Sequence, residues 1–79
     1  MIVNVHYIDE KTGNIRSNST YSYRCSIPTA HVGMEVIAPT AKRDARAVIC
    51  AINVPESRID ERVLPLLKEI TQEVSVDGE

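Results

Sequence analysis

The sequence predicts a small, mainly β domain (β+α): a curved antiparallel sheet or partly open β-barrel of four or five strands with one C-terminal helix. Three observations predict it. Apolar residues alternate with polar ones at period two in several short runs. Proline, glycine and polar clusters punctuate those runs. After Pro55 the apolar spacing changes to three and four, which is the period of a helix.

Ile2 to Ile8 reads as the first strand, with Val3, Val5 and Tyr7 on one face and Asn4 and His6 on the other. Ile2 and Ile8 share the Asn4 face, so that face is not purely polar. Asp9 to Asn14 is a turn, with Gly13 free to take the positive φ that a tight turn demands. Arg16 to Ser19 is polar and continues the loop. Thr20 to Ile27 is the clearest strand. Tyr21, Tyr23, Cys25 and Ile27 share one face, and Pro28, which has no amide to give a ladder, ends it. Met34 to Ala38 is short, with Met34, Val36 and Ala38 pointing one way. Arg46 to Val54 is the longest apolar run, apolar on both faces, and is expected at the centre of the sheet. The last two strands pair as a hairpin across the polar tip 40–44. Ile59, Val63, Leu66, Leu67, Ile70 and Val74 then form a helical stripe. Pro65 is tolerated only in a helix's first turn, so the helix is placed at about 64–74, with Ser57 and Asp60 capping a short turn before it. The domain is expected to span 1–74, and 75–79 to be a flexible tail.

The chain has 79 residues, enough for one small domain and too few for a doubly wound nucleotide-binding fold or an α/β barrel. There are three Tyr, no Phe and no Trp, so the core must be built from Val, Ile, Leu, Ala and Met. The net charge of −2 is too near neutral to predict polyanion binding from bulk charge. It is unevenly spread: residues 1–46 carry six basic and four acidic residues, and 47–79 carry three and seven. Cys25 and Cys50 form no Cys-x-x-Cys motif, which argues against a zinc site. A disulfide between two strands stays open, but with no leader-like segment a reduced, cytoplasmic protein is the expectation. No run approaches the roughly 20 apolar residues of a membrane span, so no membrane association is expected.

From Thr20 onward the order of features resembles the N-terminal DNA-binding domain of primosome protein N-prime, the bacterial primosomal replicative helicase. The residues that carry the resemblance are Tyr21-Ser22-Tyr23, Gly33, Val36-Ile37-Ala38-Pro39, Lys42-Arg43, Val48 to Val54, and Leu64-Pro65-Leu66-Leu67. They cover roughly three-quarters of the chain. The resemblance implies a small β-barrel-like module that binds DNA, in that family at the 3′ end of a nascent strand. It is a resemblance of framework: Ser22, Ala41 and Leu64 stand where the family has Asp, Gly and Lys. It also implies that 63–70 is extended, against the helical periodicity. No Gly-x-x-x-x-Gly-Lys-Ser/Thr loop of a helicase motor is present.

No residue is expected to be catalytic, and no cofactor or metal is expected. His6 and His31 have no serine or cysteine in a recognisable nucleophile setting. The candidate nucleic-acid contacts are Tyr21 and Tyr23, whose spacing on one strand face suits stacking of successive bases, and Lys42, Arg43 and Arg46, which suit phosphates. Equally, the tyrosines can fill the core beside Cys25, and the basic tip can be a solvated turn. The function expected is a stand-alone, non-enzymatic module binding single-stranded DNA or DNA ends. The alternative is a protein-interaction or homo-oligomerisation module using Arg46–Val54 or the Leu64–Ile70 stripe.

Overall fold

The computed structural model describes residues 1–9, 11–15 and 19–74. Six strands form one sheet: β1 (Ile2–Tyr7), β2 (Tyr21–Cys25), β3 (Glu35–Ala38), β4 (Ala45–Ala51), β5 (Glu69–Ile70) and β6 (Gln72–Glu73). Their spatial order is β5-β2-β1-β4-β3-β6. The two ends of that order are consecutive in sequence, separated only by Thr71. The segment 69–73 therefore runs from the outer edge of β2 to the outer edge of β3 and nearly closes the sheet into a barrel. Closure removes the exposed edges that an open sheet of this size would carry.

The period-two reading holds for the first four strands. Val3, Val5, Tyr23, Cys25, Met34, Val36, Ala38, Ala47 and Ile49 all point inward and are buried. The β3–β4 hairpin pairs across the basic tip as expected, with Ala38 opposite Ala45. β4 lies inside the sheet between β1 and β3. Its register against β1 shifts between Asn4 and Val5, which pair with Ala51 and Ile49 and leave Cys50 as an extra residue. Such a bulge bends its strand, which suits a closing sheet. The Cys50 thiol donates to the Asn4 carbonyl at 3.4 Å, and both cysteines are free. Gly13 takes φ 75° in the turn after β1, where its amide bonds back to the Asp9 carbonyl.

Three expectations are corrected. There is no helix at 64–74. Glu56–Arg58 and Leu64–Leu66 are single 3₁₀ turns, with Pro65 inside the second, and the chain beyond is extended. The 3.6 spacing of the apolar residues is real, but from Lys68 onward the backbone is claimed by the open edges of β2 and β3, and only Ile70 of that stripe is buried. The sheet has six strands rather than four or five. It is also mixed rather than antiparallel, because β5 runs parallel to β2. Asp60 does cap a turn, its carboxylate accepting the Arg62 amide at 2.9 Å, whereas Ser57 lies inside the first 3₁₀ turn and caps nothing. Residues 16–18 of the loop expected at Arg16–Ser19, and the tail 75–79, lie outside the described residues.

Candidate functional site

The strand registers bring all three tyrosines to one end of the barrel, where β1 and β3 finish and β2 and β4 begin. Val5 is opposite Tyr21 and Val3 opposite Tyr23, so Tyr7, two residues further along β1, lies diagonal to Tyr21 on the same face. The Tyr7 and Tyr21 rings stack with centroids 4.6 Å apart and planes 28° apart. Tyr23 is nearly fully buried at 6% exposed, while Tyr21 is 42% exposed on the rim. Tyr23 thus fills the core, and Tyr21 stays at the surface.

The Tyr23 hydroxyl donates to the Pro39 carbonyl at 3.1 Å. It accepts from the Tyr7 hydroxyl at 2.5 Å. This chain fixes both rings. Burial, reinforced by the Tyr7 hydrogen bond and the neighbouring phenols, pushes the Tyr23 hydroxyl well above the ordinary tyrosine range.

The tyrosines form one wall of a recess of about 550 Å³. Thr40 and Ala41 of the hairpin tip contribute a second side, and Arg58, Asp60, Leu66 and Lys68 a third. That third side exists because the segment after β4 crosses β1 and β2 on its way to β5. Val54 donates its amide to the Ile2 carbonyl at one end of the crossing, and Arg24 donates its amide to the Lys68 carbonyl at the other.

The expected cations divide. Arg46 is tied to Glu35 at 2.5 Å on the surface and does not line the recess. Lys42 and Arg43 are exposed in the bend adjoining Ala41. Thr40 holds that bend, its hydroxyl bonded to the Arg43 carbonyl and amide. Tyr7, Arg58 and Lys68 line the recess and were not among the expected site residues. For Tyr7 the signal was present: it occupies the inward period-two position of β1. For Arg58 and Lys68 there was none, because only the crossing of a non-helical segment places them. Arg58 and Lys68 have no acidic partner among the described residues, whereas the Asp60 carboxylate is engaged by the Arg62 backbone and, at 3.5 Å, its guanidinium.

The histidines lie apart from this recess. The His6 and His31 rings hydrogen-bond through Nδ1 to the Ser19 and Thr29 carbonyls at 3.0 and 2.9 Å. Among the described residues no helix is long and apolar enough to cross a membrane. The chain matches no protein-family model, no curated protein and no solved structure.

Proposed function

We propose that this domain is a non-enzymatic module that binds single-stranded DNA at the tyrosine recess. The observation that carries the reading is the stacked, half-exposed Tyr21 beside two cations that have no acidic partner among the described residues, Arg58 and Lys68. An aromatic ring held rigid by a second ring offers a base a stacking surface at small entropic cost, and any base can use it. Guanidinium and ammonium groups at the same rim supply phosphate contacts. Lys42 and Arg43 do not line the recess, but they are exposed in the bend next to Ala41 and would meet the phosphates of a strand leaving it. Arg46 is the weakest of the earlier candidates, because Glu35 already neutralises it. The framework resemblance to the primosomal N-terminal domain points to the same ligand class. The test is an anisotropy titration of a labelled single-stranded oligonucleotide at low ionic strength. Saturable binding that weakens with salt supports the reading, and no binding removes it.

A second reading, a protein-interaction or self-association module, rests on Leu66. This side chain is 73% exposed, and with Val63 it forms an apolar lip of the same recess. Of the other candidate stretch, Arg46–Val54, the residues of β4 lie between β1 and β3 in the sheet. A concentration-dependent mass in analytical ultracentrifugation, abolished by Leu66→Ser, would favour this reading.

A further inference from the structure

A second recess, of about 390 Å³, adjoins the first. The two share Thr20, Ser22, Arg58 and Ile59, so together they form one groove that runs from the tyrosines at the barrel end to the outward positions Asn4 and Ser22 of β1 and β2. Their chemistry differs. The first is aromatic. Among the described residues the second is lined by no aromatic residue and no acid, and its polar lining includes Asn4, Ser22 and Asn53. The Ser22 hydroxyl donates to Asn4 Oδ1 at 2.7 Å. That bond orients the Asn4 amide and leaves its N–H donors without a partner among the described residues. Asn53 is exposed and sits at φ 52°, a left-handed conformation that asparagine tolerates better than other side-chain-bearing residues.

We infer that the groove takes two successive nucleotides of a single strand. One base stacks on Tyr21, the phosphate between the two meets Arg58 where the recesses join, and the second base sits against the amides of Asn4 and Asn53. This rests on the nucleic-acid reading above and adds a site to it. The stacking recess accepts any base. The amide recess presents directional donors and acceptors, so it is the half of the groove that discriminates between bases. Arg58 suits the junction because it lines both recesses and forms no ion pair with an acid among the described residues.

The test is an NMR titration of the ¹⁵N-labelled protein with three probes: thymidine monophosphate, the thymidine dinucleotide, and a dinucleotide whose second position is abasic. The expected result is that the full dinucleotide binds about tenfold more tightly than the mononucleotide. It should shift the side-chain amides of Asn4 and Asn53, which the mononucleotide and abasic probes leave in place. Asn53→Gly keeps the left-handed backbone while removing the amide. It should cancel the gain from the second base. Arg58→Ala should weaken all three probes. The inference is overturned if the dinucleotide binds no better than the mononucleotide, or if its gain survives Asn53→Gly. A dodecamer that binds while the dinucleotide step is missing would sink this inference alone. A dodecamer that does not bind would remove the nucleic-acid reading and this inference with it.

Discussion

Tyr21 and Tyr23 are two residues apart on one strand face, yet they do different work. Tyr23 is held by the Pro39 carbonyl and the Tyr7 hydroxyl inside the barrel end, and Tyr21 lies on the rim. Replacing Tyr21 with Ala should therefore spare most of the stability and weaken oligonucleotide binding by about 1–3 kcal/mol, the value of one base–aromatic stack. Paired titrations and denaturation curves would check both halves of that expectation. Tyr23 makes a pH prediction instead. Its folded pKa is raised above the ordinary value of 10.0. The stability linked to it is thus fully present below pH 10 and declines as pH rises beyond it, because the unfolded chain ionises first. Denaturation midpoints measured from pH 8 to 11.5 should fall above pH 10, with a limiting slope of about 1.4 kcal/mol per pH unit. Tyr23→Phe should lose that component of the slope.

Among the elements, the closing segment 69–73 is the least secured. β5 and β6 have two residues each, and a single fully buried side chain, Ile70, anchors them to the core. Ile70→Ala should cost about 2–5 kcal/mol, the range for deleting a large aliphatic side chain from a packed site. The ladder bonds that depend on this segment should open before those of β1 and β4. They include the Ser26 amide to the Ile70 carbonyl at 3.1 Å and the Val74 amide to the Glu35 carbonyl at 2.9 Å. Native-state hydrogen exchange at Ser26 and Val74 reads this directly, and protection there equal to that of β4 would contradict it. The same segment explains the misread helix. Ile59, Val63, Leu66, Leu67, Ile70 and Val74 have helical spacing, but Pro65 blocks the interior of such a helix, and two unpaired strand edges offered the backbone an alternative set of hydrogen bonds. β3, by contrast, was legible from Met34, Val36 and Ala38 alone, because burial of alternate residues admits one face only.

For the whole molecule, a net charge of −2 gives no long-range attraction for a polyanion, so any DNA affinity must come from local contacts. The number of cations at the groove then sets the salt dependence. If only Arg58 and Lys68 meet phosphates, the slope of log K against log salt should be about −1.4, and if Lys42 and Arg43 join them, about −2.8. Titrations between 50 and 200 mM salt separate the two cases, since the loss of affinity is about 7-fold in the first and about 50-fold in the second. A slope unchanged by Lys42→Ala and Arg43→Ala would assign the contacts to the crossing segment alone.

By itself, the sequence determined the four principal strands, the hairpin across the basic tip, the inward set of apolar residues and the shared face of Tyr21 and Tyr23. These follow from period-two alternation and proline punctuation, which are local properties of the chain. Only the tertiary structure decided the rest: that 69–73 nearly closes the sheet into a barrel, that Tyr7 completes the aromatic wall, and that Arg58 and Lys68, rather than Arg46, flank it. The physical reason is common to all three. Each depends on which strand edge or side chain a distant segment meets, and the hydrogen bonds and ion pairs that settle those meetings join residues far apart in sequence.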